Sequence, residues 1–251
     1  MNDSSAGLAV HEVLAAVLQV RDGQLQVLLW QRGIEPERGR WALPGGRLGT
    51  HEDVQSSVLR QLAEKVDVRD VAHIEQLEVF STPDRMPHQR TVATAFLGLV
   101  PCVADPHLPA DTTWYPVADA LRGDPRTAFD HGLIVRRARD RLRAKLSYTN
   151  LGFALAPPEF TISALRQLYS AALGYRVSAT NLQRVLARRG LLTPTGATAA
   201  PGPAGGRPAA LYRFAEHGLR VTDPFAVLRP PDERAGHVMA RRHRSSQQTA
   251  P

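Results

Sequence analysis

Residues Gly46–Val68, GRLGTHEDVQSSVLRQLAEKVDV, hold the pattern on which the fold turns. A flexible glycine-containing lead-in gives way at Glu52 to a helical pattern, and an acid there interacts favourably with the positive end of the helix dipole. Val54, Val58 and Leu62 recur at four-residue spacing and mark the buried stripe of an amphipathic helix. Arg60 and Glu64 stand one turn apart on its outer face, where they can pair.

The flanking sequence puts that helix in context. Val10–Val20 and Leu25–Gln31 are apolar, β-branched-rich runs joined through Arg21-Asp22-Gly23-Gln24. Asp-Gly is a hairpin signal, because a type I′ turn needs positive φ at both central residues. Arg40-Trp41-Ala42-Leu43-Pro44-Gly45-Gly46 then makes a tight turn into the helix. Strand pair, WALPGG and helix, in this order, resemble the Nudix family, whose box reads G, five residues, E, seven residues, then R-E-U-x-E-E-x-G-U with U aliphatic. Gly46, Glu52, Arg60, Leu62 and Val68 fall at matching positions.

The acidic cluster of that pattern does not survive. Gln61, Glu64 and Lys65 stand where the box has three glutamates, and Asp67 replaces its second glycine. Mg²⁺ is a hard cation that takes carboxylate and water oxygens. Glutamine is a weak ligand and a neighbouring ammonium repels the ion, so neither a metal site nor a catalytic residue nor a cofactor is expected. Lys65 can meet a phosphate directly.

Glu75–Phe80 and Thr91–Val100 read as two further strands. The loop between them, residues 81–90 (STPDRMPHQR), resembles the D-P-x-R-x-x-x-x-R loop of ADP-ribose-directed Nudix proteins, with Thr82 at the first Asp. Arg85 and Arg90 offer planar, permanently charged forks suited to a diphosphate. Trp114 can stack a purine or pack the sheet edge, and His131 can bond a ligand or serve local structure. The effector set implied by the resemblance is Arg40, Arg47, Glu52, Arg60, Glu64, Lys65, Arg85, Arg90, Trp114 and His131.

His131–Leu155 is a long helical pattern that Pro157-Pro158 stops. Beyond it, Thr161 opens one short helix that ends near Gly174, and Ser178 can cap a second, Ala179–Arg189, closed by Gly190. Leu191–Thr193 and Ala210–Phe214 read as strands around the Gly/Pro/Ala/Thr-rich residues 195–208. Helix, turn, helix and hairpin make a winged helix-turn-helix. Thr180, Asn181, Gln183, Arg184 and Arg188 are its polar readers: Asn and Gln suit adenine edges, and Arg suits guanine. Arg207 at the wing tip can enter a minor groove, and Arg189 and Arg213 suit phosphates. Winged helices also serve protein–protein contacts.

Charge favours DNA over such contacts. Residues 151–251 carry 13 arginines, no lysine and 5 acidic residues, whereas residues 1–150 are near neutral. The single cysteine, Cys102, excludes an intrachain disulfide and fits a reducing cytoplasm. No apolar run approaches the roughly 20 residues of a membrane span, and a hydrophobic fraction of 43% is ordinary for a globular protein.

Both halves together resemble the Nudix-related transcriptional regulators of the NrtR family, over residues 10 to about 215. The matching segments include Trp41–Gly46, Ala128–His131, Arg141–Leu155, Phe160–Gly174, residues 190–196 (GLLTPTG) and residues 206–214 (GRPAALYRF). The resemblance implies an α+β protein, a Nudix-like α/β/α sandwich (8–150) and a winged helix-turn-helix (151–228), and the Pro-rich, polar composition of residues 229–251 reads as a disordered basic tail. It further implies a homodimeric repressor of NAD synthesis or salvage genes, bound to a double-stranded operator and released by ADP-ribose or a related metabolite. Thr180 and Gln183 depart from the family's more basic recognition helix. The competing expectations are an ADP-ribose pyrophosphatase and a repressor of a sugar-catabolic regulon.

Overall fold

The computed structural model describes residues 9–200 and 208–223. Strand β1 (Val10–Arg21) is its axis, with Val13–Val20 buried without interruption because both sheet faces are covered. Asp22 and Gly23, with φ of 50° and 72°, turn it into β2 (Gln24–Gln31), as the Asp-Gly pair predicts. Two short strands follow, β3 (Trp41–Ala42) and β4 (Gly45–Arg47), then helix α1 (Val54–Val66). β5 (His73–Phe80), β6 (Thr91–Leu99) and β7 (Thr112–Pro116) complete the sheet.

The sheet order is β3-β2-β1-β6-β5, with β4 pairing β1 and β7 pairing β2. β1 and β6 run parallel over nine residues, while β1 changes antiparallel partner along its length. Leu18–Arg21 pair with β2, and Glu12–Leu14 pair with β4. Between these two stretches β1 exchanges β2 for β4. Gly45 must be glycine there, because a Cβ would collide with the Val13 carbonyl.

One face is covered by α1, whose Val58, Leu62 and Val66 meet Val13, Ala15, Val17 and Phe96. Its N-cap is Asp53, whose carboxylate accepts from Ser56 N–H at 2.7 Å, so the helix begins at Val54, two residues later than Glu52. The other face holds α2 (Val117–Arg122) and α3 (His131–Tyr148), with Ile134, Val135, Ala138 and Leu142 buried. The resulting layers are α/β/α.

Helix α3 stops at Tyr148 instead of running to Leu155, so the proline pair is not what ends it. Buried Asn150 diverts the chain: its side chain donates to Gly218 O and accepts from Arg220 N–H, both at 2.7 Å. A short 3-10 turn, Leu151–Ala154, leads to α4 (Ile162–Leu173) and α5 (Ala179–Arg188), then strands β8 (Leu192–Thr198) and β9 (Ala210–Phe214). β8 reaches farther into the predicted wing than Thr193. Leu165, Leu168, Leu182, Leu186 and Phe214 join the same apolar cluster as Leu18 and Leu142, so a continuous core links the winged helix to the sheet. Among the described residues, no helix is long and apolar enough to cross a membrane. Residues 229–251 lie outside the described residues.

Candidate effector cleft and nucleic-acid interface

Residues of β2 and β4 border a cleft of about 170 Å³. Glu12, Trp30, Arg32, Lys65, Phe129 and His131 are among its walls. Phe129 holds φ of 47°, a left-handed conformation that is costly for an aromatic residue. The Glu37 carboxylate secures it by accepting Phe129 N–H at 2.8 Å. The ring then stacks under Arg32, whose guanidinium carbon lies 4.8 Å from the ring centroid.

His131 sits behind that ring, 4% exposed, and its Nδ1 accepts the Leu43 N–H at 2.9 Å. Burial lowers its pKa to about 4, so it stays neutral and keeps the lone pair this bond requires. Its role in the fold is to tie α3 to the WALPGG turn. It also lines the cleft.

Of the ten residues singled out for effector contact, Lys65 and His131 line the cleft and eight do not. Arg85 is turned inward: its side chain is 1% exposed and forks onto Asp130 at 2.8 and 3.0 Å and Glu12 at 2.6 Å. Desolvation disfavours its charge, yet the two carboxylates raise its pKa above the ordinary arginine value. It is a brace beneath the cleft and has no face free for a diphosphate. Arg90, five residues on, is exposed and donates to Thr82 O at 3.3 Å.

Arg60 binds Glu52 at 2.7 Å and Glu64 at 3.0 Å, and Glu52 also accepts from Gly49 N–H at 2.8 Å. The Arg60 hydrogen bond is the main reason that Glu52 titrates near 2. These three residues lock the box loop to its helix. Arg40 lies in the turn before β3, with its carbonyl accepting Arg32 N–H at 2.9 Å, and Arg47 is exposed near Gln89. Trp114 packs beside the α1-side core with Arg21 over its ring, at the sheet edge.

What sequence reasoning missed are Glu12, Arg32 and Phe129, which come from three separate segments.

In the winged helix, Thr161 Oγ1 caps α4 and Ser178 Oγ caps α5 by accepting Ala164 and Asn181 N–H. Gly190, with φ of 65°, follows α5 as expected. Leu182 and Leu186 bury the inner side of α5, and Thr180, Asn181, Gln183, Arg184 and Arg188 are all exposed. Arg184 donates to Asn181 Oδ1 at 2.9 Å, which couples two of these side chains. Arg213 is exposed on β9, whereas Arg189 is half-buried with its Nε enclosed and without a hydrogen-bond partner among the described residues. Arg207 lies outside the described residues. None of Arg184, Arg188, Arg189 and Arg213 forms an ion pair with a described residue.

Residues 10–137 match the NUDIX domain family, and residues 152–214 match the NrtR DNA-binding winged helix domain. The ADPR responsive transcriptional repressor NtrR of Acinetobacter baylyi is 33% identical over 205 residues, covering 80% of each chain. The crystal structure of Shewanella oneidensis NrtR complexed with a 27mer DNA is 32% identical, with a TM-score of 0.69, covering 81% of this chain and 92% of that one. The NUDIX domain of the same Shewanella protein complexed with ADP ribose is 33% identical, with a TM-score of 0.50, covering 57% and 94%.

Proposed function

The chain belongs to the NrtR family of Nudix-related transcriptional regulators, and from that premise we propose that it is a DNA-binding repressor released from its operator by ADP-ribose. Residues 8–150 are the effector-binding domain and residues 151–228 the DNA-binding domain. The genes it controls are those of NAD synthesis or salvage, and its place of action is the cytoplasm.

One observation supports this most directly. The outward side of α5 presents Asn, Gln and Arg side chains beside a hairpin, on a helix whose inner side is fully engaged in the core. Asn and Gln have complementary edges on adenine and Arg on guanine, so the face is built for a major groove. The cleft bordered by β2 and β4 takes the effector, with Phe129 and Arg32 as the stacking surface and the glycine turn at β4 toward its phosphates. Effector contacts then come from Arg32, Phe129 and Lys65, while Arg85, Arg60 and Glu52 hold the frame.

Repression by a homodimer requires its two winged helices to sit roughly 34–36 Å apart, or a multiple, to enter successive major grooves. ADP-ribose releases DNA by preferring a dimer geometry in which that spacing is wrong. Near-complete release needs a preference of roughly 10⁴-fold, about 5.5 kcal/mol. The chain is not a hydrolase, so the effector survives binding.

A gel-shift titration against the DNA upstream of its own operon tests the reading. Saturating ADP-ribose should abolish the shifted band, and the nucleotide should be recovered intact after incubation with Mg²⁺. An unchanged band would overturn the effector assignment.

A further inference from the structure

The box residues do not fit the divalent ion that the Nudix pattern holds. Among the described residues, no three His, Cys, Asp or Glu side chains are grouped so as to hold a metal. Glu64 and Glu52 are both engaged by Arg60, and the two remaining box positions are an amide and an ammonium. The Lys65 Nζ donates to the Gly45 carbonyl at 2.7 Å, directly at the glycine turn that lines the cleft. A methyl group placed on Gly46 would lie 2.8 Å from both that Nζ and the Gln61 amide, so lysine, glutamine and glycine backbone converge on one spot.

The Gln61 amide is the unsatisfied partner in this group. It is 5% exposed, its Nε2 makes one long bond of 3.5 Å to Arg47 O, and its Oε1 has no partner among the described residues. A buried polar group left that way is costly unless something supplies the missing bond. A ribose-linked diphosphate carries both kinds of partner, a hydroxyl for the acceptor and a phosphate oxygen for the donor.

From this convergence we infer that Lys65 and Gln61 form a metal-free diphosphate subsite, with the lysine ammonium standing in for the divalent cation. The inference rests on the effector reading above and names how that ligand is held. An ordinary box presents carboxylates to a diphosphate, and only an intervening cation makes the approach favourable. Exchanging two of those carboxylates for an amide and an ammonium removes the repulsion and supplies the positive charge covalently. Desolvation lowers the Lys65 pKa, Arg60 acts in the same direction, and Glu64 and Glu12 oppose them. A lysine with so few direct partners is a point charge available to phosphate. Gly46 is required on the same grounds, since any side chain there would occupy the subsite.

Titration calorimetry of the full chain with ADP-ribose, in EDTA and again in Mg²⁺, tests this. Affinities within twofold of each other are expected. Lys65→Gln should weaken binding at least tenfold, while Lys65→Arg, which keeps the charge, should stay within threefold; thermal unfolding confirms that both variants fold. The double variant Gln61→Glu, Lys65→Glu should acquire Mn²⁺ binding, read by electron paramagnetic resonance, and its ADP-ribose affinity should become dependent on that ion. A tenfold loss of wild-type affinity in EDTA, or a Lys65→Gln variant that binds like wild type, overturns the subsite and leaves the effector reading standing. An absence of ADP-ribose binding under either condition overturns both.

Discussion

Two sets of arginines, one in each half of this molecule, are used in opposite ways. Around the cleft, Arg85 and Arg60 are each clasped by two carboxylates, and Arg85 is closed off from solvent. In the winged helix, Arg184, Arg188 and Arg213 are exposed and have no carboxylate among the described residues. A guanidinium with its fork filled by acids braces a fold. One with its fork open awaits a polyanion. The difference separates scaffold from interface without reference to where a residue falls in a motif.

The sharpest way to break this contrast is to remove one arginine of each kind. Arg85→Ala leaves Glu12 and Asp130 without their shared counter-charge in a closed site, a class of change that costs about 3–5 kcal/mol. Chemical denaturation should show that loss, whereas Arg184→Ala should change stability by no more than ~0.5 kcal/mol. Equal effects would erase the distinction.

Next in size is a pH effect confined to the cleft half. His131 is held neutral with a pKa of about 4, below its unfolded value, so the unfolded chain binds the proton more tightly. This stabilisation is fully present above the unfolded pKa of about 6.5 and is lost as pH falls toward 4, a change on the order of 3 kcal/mol. His131→Gln, which keeps an acceptor for Leu43 N–H, should flatten the denaturation free energy between those limits. An unflattened profile would assign the pH dependence elsewhere.

Smaller effects belong to the winged helix. Arg184→Ala and Asn181→Ala should each cost about 1–3 kcal/mol of operator affinity and relax sequence preference. Because the two side chains are bonded at 2.9 Å, the double variant should lose less than the sum. Quantitative gel shifts on operator and scrambled DNA would read both. Additive losses would show independent readers. Smallest is Arg213→Ala, which should weaken all sequences alike and reduce the slope of log affinity against log salt by ~0.9.

Much of the fold was legible because its signals are local. Asp22-Gly23 turns between strands, Thr161 and Ser178 cap helices, and Val58 and Leu62 lie inward, each through interactions spanning a few residues. The end of α3 is not legible locally, because its cause lies in residues 218–220, brought back to Asn150 by the wing hairpin. The cleft was harder still. Arg85 and Arg90 sit in one loop with the same chemistry, and only the folding of Glu12 and Asp130 over the first makes it a brace. Phe129 is not legible in the sequence, since nothing in the order of residues announces a left-handed backbone that swings its ring into the cleft.

By itself, then, the sequence determined the architecture, the charge asymmetry and the loss of the box acids, because spacing, turn chemistry and residue type act over short range. Which arginines became struts, which ring became a wall and where the Lys65 ammonium came to rest were decided by the tertiary structure. A side chain's role depends on what distant chain is packed against it: burial and a counter-charge fix Arg85 in place, and open solvent leaves Arg184 free to bind.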